Sequence, residues 1–348
     1  MSRSVAPIPV GEIRRALVRC PNWLGDTVMA LPTIHALRDA LPRAELWGLG
    51  PWVPAVLATE PALNRLLPYP RRWADRWALT RELRQADLDL ALLLPNSFES
   101  ALGAWLAGAR RRVGYSGDGR AALLTHPVPP SAERCHQVAE YLALLRPLGL
   151  APRMTAPTLA VAPTHRDEAR RLLREVGVRS RDRPVAIQLG AAFGPSKLWP
   201  AERLAALASR LEADGTPVVF LGSPEAAALL AAVEHAMAAP PRTLVGRDHV
   251  ALLPALLAEF AVLVTPDSGP AHLGAAVGVP VVALFGPTDP RRSAPLGSRH
   301  LALWRPPPCA PCYQPHCPID HRCVRAITVD EVRRAVHERL QVDPRAPA

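Results

Sequence analysis

The chain has 348 residues, of which 49% are hydrophobic, so it can bury cores of ordinary size and is not a mainly disordered protein. Its length predicts two domains of ~150–170 residues each. The formal net charge of +10 favours acidic partners, such as nucleic acid, a membrane surface or phosphorylated substrates.

The sequence gives no sign of a membrane-spanning helix. The best candidate, residues 250–266, is interrupted by Pro254 and Glu259 and is too short to span. The first residues lack the apolar stretch of a signal peptide. We therefore expect a cytoplasmic protein.

In the first half of the chain, apolar runs that end in turn residues alternate with helical patterns. The runs predict buried strands, and strands that alternate with helices predict a parallel sheet covered on both faces. The predicted strands are residues 16–20, 44–48, 88–94 and 111–115. The predicted helices are residues 26–41, a helix that follows Pro95-Asn96-Ser97 and ends at about residue 107, and residues 133–148.

Residues 151–163 contain three prolines and little periodicity, so we place the domain boundary there, with domains 1–163 and 164–348. The second half repeats the alternation. Its predicted strands are residues 184–190, 217–222, 261–265 and 280–286, and its predicted helices are about 166–176, 200–213, 224–238, 250–258, 269–277 and 329–340. This pattern predicts an α/β protein with two Rossmann-like domains, whose parallel sheets face a central cleft.

One turn of the second half, residues 265–272 (TPDSGPAH), has the features of a phosphate site. It follows a predicted strand and opens a helix, with Asp267 or Ser268 at the N-cap and Gly269 allowing close approach to the backbone. The helix N-terminus favours an anion, and His272 could donate to the same group. An ordinary capped helix is the alternative interpretation.

Lys197 is the one lysine among 41 basic residues. It lies in a loop that follows the strand 184–190 and precedes a helix. An ammonium group on such a loop suits neutralisation of a diphosphate leaving group. The other interpretation is a surface lysine.

Asp26 lies where the first strand gives way to a helix, in the sequence Pro21-Asn-Trp-Leu-Gly-Asp26. A carboxylate at the carboxyl end of a sheet could act as a general base. An N-cap without catalytic function is the alternative.

Four cysteines follow one another closely, at Cys309, Cys312, Cys317 and Cys323. In a cytoplasmic chain this spacing favours a metal or thiol cluster over disulfides, and four thiolates satisfy a tetrahedral zinc site. We therefore expect a structural Zn²⁺ in the segment 309–323, with four reduced thiols as the alternative.

Five sequence blocks resemble the heptosyltransferases of glycosyltransferase family 9. They occur in the family's order and extend over nearly the whole chain. The blocks are residues 22–32 (NWLGDTVMALP), 94–98 (LPNSF), 112–115 (RVGY), 197–200 (KLWP) and 266–272 (PDSGPAH). The resemblance implies a GT-B fold, with an acceptor-binding N-terminal domain and a nucleotide-sugar-binding C-terminal domain.

The resemblance also implies the reaction, which is inverting transfer of heptose from ADP-heptose to the inner core of lipopolysaccharide without a catalytic metal. It makes Asp26 the general base and Lys197 the residue that stabilises the ADP leaving group. The implied donor-binding residues are Glu225, Asp267, Ser268, Gly269 and His272. In one departure from the family, Pro270 replaces a common Leu and removes one N–H from the anion site.

The implied partners are ADP-heptose and a phosphorylated lipid A–core acceptor at the inner leaflet, and nucleic acid is not among them. Arginines cluster in the first domain, which suits a peripheral contact with that membrane, although they also fit solvated helix faces. They are Arg71, Arg72, Arg76, Arg81, Arg84 and Arg110–Arg112. Two other functions stay open: a sugar-nucleotide epimerase of the same fold, and a catalytically inactive protein of lipopolysaccharide assembly.

Overall fold

The computed structural model describes residues 6–131, 133–179 and 181–341. The first five residues, which belong to the segment tested above for a signal peptide, lie outside them. Within the described residues, no helix combines the length and the apolar character needed to cross a lipid bilayer.

The chain forms two compact units, Met1–Thr155 and Ala156–Ala348. The second unit thus begins before the predicted boundary at residue 163. The N–H of Leu159 donates to the carbonyl of Ala276 at 2.9 Å, which ties this part of the proline-bearing segment to the second unit.

The first unit contains a six-stranded parallel sheet with the strand order β3-β2-β1-β4-β5-β6. Its strands are β1 (Arg15–Arg19), β2 (Glu45–Gly50), β3 (Arg65–Pro68), β4 (Leu90–Leu93), β5 (Arg111–Tyr115) and β6 (His126–Val128). Its helices are α1 (Leu24–Met29), α2 (Leu31–Ala40), α3 (Val53–Val56), α4 (Trp73–Gln85), α5 (Phe98–Leu106) and α6 (Gln137–Ala143).

The second unit also contains a six-stranded parallel sheet, with the order β12-β11-β10-β7-β8-β9. Its strands are β7 (Val185–Gln188), β8 (Val218–Leu221), β9 (Arg242–Thr243), β10 (Val262–Pro266), β11 (Val281–Phe285) and β12 (Leu301–Trp304). Its helices are α7 (Pro163–Glu175), α8 (Ala201–Ala213), α9 (Ala227–Ala236), α10 (Leu253–Leu257), α11 (Gly269–Ala276), α12 (Pro290–Ser293), α13 (Arg322–Arg325) and α14 (Val329–Leu340).

The central strands explain why the apolar runs were visible in the sequence. Every residue of β4, β7, β8, β10 and β11 is buried, as expected for parallel strands with helices on both faces. Burial of these side chains is the main favourable contribution to folding of each unit.

Two predicted helices are not continuous, and a proline lies near each interruption. The helix predicted over residues 26–41 is divided at Ala30 into α1 and α2, because Pro32 cannot donate the hydrogen bond that would continue the first helix. The helix predicted over residues 133–148 is reduced to α6 and a 3₁₀ turn that contains Pro147.

Candidate functional site

Each sheet has one point at which the strand order reverses. In the first unit it lies between β1 and β4, and in the second between β7 and β10. Ligands of open α/β sheets bind beyond the carboxyl ends of the strands at such points. Asp26 follows β1, Lys197 follows β7, and Asp267 follows β10, so these three predicted residues all follow strands that border a reversal.

Asp26 lies in the first turn of α1 and is half-buried. The N-cap of this helix is Trp23, so Asp26 is not the cap that the alternative interpretation assumed. The hydroxyl of Thr27 donates to the carbonyls of Pro21 (3.2 Å) and Trp23 (3.0 Å), which fixes the turn. The pKa of the Tyr141 phenol is well above its usual value, chiefly because of burial and further because of the Asp26 charge.

A polar cluster that the sequence analysis missed lies at the end of β1. Arg19 is 4% exposed, donates to Asn22 Oδ1 at 2.7 Å, and has its guanidinium 3.9 Å from the centre of the Tyr69 ring. The Tyr69 hydroxyl in turn donates to Glu99 at 2.9 Å. Burial lowers the pKa of Arg19. The available signal was Arg19, a charged residue near the end of a predicted buried strand.

In the second unit, Lys197 and Asp267 form a buried ion pair. The Lys197 ammonium donates to Asp267 Oδ2 at 2.5 Å and to the Asp267 carbonyl at 3.0 Å, and it lies 4.7 Å from the centre of the Phe193 ring. Lys197 is 8% exposed and Asp267 is 6% exposed. Lys197 is therefore not the surface lysine of the alternative interpretation.

Thr288, a residue that the sequence analysis did not select, completes this arrangement. Its hydroxyl donates to the same oxygen, Asp267 Oδ2, at 2.7 Å. Thr288 follows β11 in the turn Gly286-Pro-Thr-Asp289. A hydroxyl directly beyond a buried strand was the available signal, because β11 lies next to β10 in the sheet.

Helix α11 begins at the turn where the sequence predicted a helix N-terminus. Ser268 is the N-cap, Gly269 is the first helical residue, and Pro270 occupies the second position. His272 is 5% exposed within this helix. The ends of β7 and β10 thus bring together an ammonium group and a helix N-terminus, both of which favour a bound anion.

Glu225, the predicted ribose-binding residue, lies in an exposed 3₁₀ turn after β8. A hydrogen bond with the Ser223 side chain holds the pKa of Glu225 below its usual value. Asp248, which the sequence analysis missed, is 7% exposed and accepts the Gly222 N–H at 2.9 Å. Burial raises the pKa of Asp248 to about 6.

The zinc site expected from the cysteine spacing is not found. Among the residues that the structure describes, no three or more His, Cys, Asp or Glu side chains are arranged to hold a metal ion. Cys309 and Cys312 are exposed and Cys317 is half-buried. Cys323 belongs to the apolar core of the second unit, and its Sγ lies 3.3 Å from the position that a Cβ on Gly286 would occupy.

Comparison with known proteins agrees with the fold and with the family resemblance. Residues 76–322 match the family described as glycosyltransferase family 9 (heptosyltransferase). The lipopolysaccharide heptosyltransferase 2 of Escherichia coli K12 is 31% identical over 300 residues, which cover 82% of this chain and 86% of that protein.

Solved structures give the same result. The structure of the E. coli ADP-heptose lipopolysaccharide heptosyltransferase II is similar with a TM-score of 0.79 and 29% identity, over 94% of this chain and 98% of that one. A glycosyl transferase family 9 protein of Veillonella parvula shares the fold, with a TM-score of 0.84 and 22% identity, over 96% of this chain and 99% of that one. The expected GT-B fold class is confirmed, and the chain belongs to glycosyltransferase family 9, the heptosyltransferases.

Proposed function

We propose that this heptosyltransferase transfers heptose from ADP-heptose to the inner core of lipopolysaccharide, with inversion at the anomeric carbon. The main observation behind the proposal is the Lys197–Asp267 pair beside the N-terminus of α11 at the strand-order reversal of the second unit. A diphosphate is the ligand that this combination suits best. Relatives whose names include ADP-heptose and lipopolysaccharide support the choice of donor and acceptor.

In this proposal, Lys197 stabilises the leaving group. An ammonium group has three N–H donors, and two of those on Lys197 point to Asp267, which leaves the third for an oxygen of the diphosphate. As the bond from the anomeric carbon to the diphosphate breaks, negative charge develops on that oxygen, and the fixed ammonium stabilises it.

Asp267 acts through Lys197. Its carboxylate already accepts from Lys197 and Thr288, and a carboxylate repels a diphosphate. We therefore assign it the task of orienting the ammonium. Ser268, Gly269 and His272 would bind the diphosphate from the helix N-terminus, and Glu225 would bind the ribose.

Asp26 is the proposed general base. The acceptor hydroxyl attacks the anomeric carbon from the face opposite the diphosphate, and its proton passes to the Asp26 carboxylate as the new bond forms. This single displacement accounts for inversion and leaves ADP as the second product.

The direct test is an incubation of the purified protein with ADP-heptose, with and without an inner-core acceptor that carries Kdo. We expect release of ADP and an acceptor heavier by one heptose, measured by mass spectrometry. Isomerisation of the sugar nucleotide without acceptor would instead indicate the epimerase. Binding of the acceptor with no turnover would indicate the inactive assembly protein.

We further propose that α4 contacts the lipid surface that carries the acceptor. Trp73 and Trp77 are 68% and 55% exposed, and their spacing of four residues puts them on one face of the helix. Tryptophan at such positions favours the membrane interface, and arginine favours anionic lipids. Four exposed arginines lie on α4 or directly before it, namely Arg71, Arg72, Arg81 and Arg84.

We expect the protein to sediment with vesicles that contain phosphatidylglycerol and less with vesicles of phosphatidylcholine alone. The double substitution Trp73→Ser, Trp77→Ser should lower the bound fraction several-fold, because it removes the two apolar groups that insert at the interface. Met154→Ser is the matched control, since Met154 is also 50% exposed but lies outside α4. Equal binding by the double variant and the control would contradict the proposal.

A further inference from the structure

The four cysteines lie on a segment that packs against the loop of Lys197. We call residues 309–323 the cysteine strap and residues 190–197 the lysine loop. Between β12 and α13 the chain forms no regular helix or strand, so this part of the strap is held by contacts with its surroundings.

Two hydrogen bonds join the lysine loop to the strap at the residue next to Lys197. The Ser196 hydroxyl donates to the Gln314 carbonyl at 2.6 Å, and the Ser196 N–H donates to the Pro315 carbonyl at 3.1 Å. Ser196 is 2% exposed. Because Ser196 is buried, water cannot easily replace its hydroxyl, so removal of the hydroxyl would leave the Gln314 carbonyl without this hydrogen bond.

Gly194 allows this close approach. Its φ of +144° lies in a region that residues with a side chain rarely adopt. A Cβ at this position would lie 2.5 Å from the Pro315 carbonyl oxygen, which is closer than van der Waals contact permits. Only glycine therefore fits where the loop meets the strap.

The strap also contacts the loop that carries Thr288. The Tyr313 N–H donates to the Pro287 carbonyl at 2.9 Å, and Pro287 precedes Thr288, whose hydroxyl donates to Asp267. Lys197 and Thr288 both donate to Asp267. The strap residues 313–315 thus contact both of the loops that carry these two donors.

We propose that the cysteine strap positions the diphosphate site, with Ser196 and Gly194 as the positioning residues through which it acts on Lys197. The inference rests on the proposed function, because the diphosphate is the ligand that Lys197 would meet. Binding of a diphosphate that fixes Lys197 would also restrain the strap, since coupling between two sites is reciprocal. Cys312 and Cys317 flank the three contacting residues and can report on this coupling.

The first measurement compares the kinetics of Ser196→Ala with those of Ser209→Ala. Ser209 is an exposed serine on α8 and is the matched control. We expect Ser196→Ala to lower kcat/KM about tenfold with the ammonium group intact, because one buried hydrogen bond is lost. Ser196→Thr keeps the hydroxyl and should recover part of the loss. The melting temperature of each variant shows whether it is folded.

The second measurement is the rate at which iodoacetamide labels each thiol, followed by mass spectrometry of the full-length protein with and without ADP. Cys312 is exposed and Cys317 is half-buried, so the reagent can reach both thiols. We expect ADP to slow labelling of Cys312 and Cys317 several-fold, with Cys135 of the first unit as the internal reference. In Ser196→Ala this protection should be lost.

The outcomes separate this inference from the proposed function. If calorimetry shows that ADP binds while the strap thiols label at an unchanged rate and Ser196→Ala keeps its kcat/KM, the positioning role is wrong and the proposed function stands. If the wild-type protein does not bind ADP, both are wrong.

Discussion

We expect Asp26→Asn to lower kcat by a factor of ~10²–10⁴, the range that loss of a general base typically produces. The amide has nearly the size of the carboxylate but cannot accept the proton of the acceptor hydroxyl. The affinity for ADP-heptose should stay close to that of the wild-type protein, because the base acts on the acceptor. Kinetics with saturating acceptor and calorimetry with the donor measure the two quantities separately.

Asp26→Asn should not disturb the capping of α1. The N-cap of α1 is Trp23, so the amide replaces no capping group, and any loss of helix stability should be small. Asp39→Asn, at an exposed position on α2, removes the same charge from the same unit and should leave kcat unchanged. Near-normal turnover in Asp26→Asn would show that Asp26 is not the base.

The second large effect is expected at Lys197. The ammonium would contact the diphosphate before and during bond cleavage, with the stronger contact in the transition state. Lys197→Ala should therefore weaken donor binding and lower kcat together, with a loss of ~2–4 kcal/mol in kcat/KM. Lys197→Arg should recover only part, because the guanidinium is bulkier and its donors point in other directions.

Lys197→Ala also leaves the Asp267 carboxylate buried without its cation. Breaking a buried ion pair in this way typically costs ~3–5 kcal/mol of stability, so a loss of activity could reflect partial unfolding. The double substitution Lys197→Ala, Asp267→Asn removes the unpaired charge and serves as the control. We expect it to melt at a higher temperature than Lys197→Ala and still to bind ADP weakly. Wild-type ADP affinity in a folded Lys197→Ala protein would refute the assignment.

Much of the fold could be predicted because buried parallel strands have a clear sequence pattern. All eight predicted strands correspond to strands of the structure, and the prediction for residues 111–115 agrees with β5 at both ends. Such strands are apolar along their whole length and end in turn residues. The helix predicted over residues 329–340 is α14, whose Thr328–Glu331 capping box provides a local start signal.

Other elements had no comparable pattern. Helix α4 was not predicted. Of its thirteen residues, Leu83 alone is buried, so its sequence lacks the regular apolar face by which a helix is recognised. Strand β9 has two residues, which is too short for a period to appear. Pairing with β8 in the sheet defines β9.

For the site, the sequence by itself determined which residues we propose for the chemistry. It selected Asp26, Lys197 and the turn at residues 265–272, because charged or small residues follow apolar strands there. Only the tertiary structure decided how they are partnered. Lys197 and Asp267 are 70 residues apart in the chain, and they pair because β7 and β10 lie side by side in the sheet. The cysteines illustrate the same limit, since their spacing fits a metal site, but no such site is found among the residues that the structure describes. Spacing along the chain restricts which groups can meet, whereas the direction of each side chain depends on packing between segments distant in sequence.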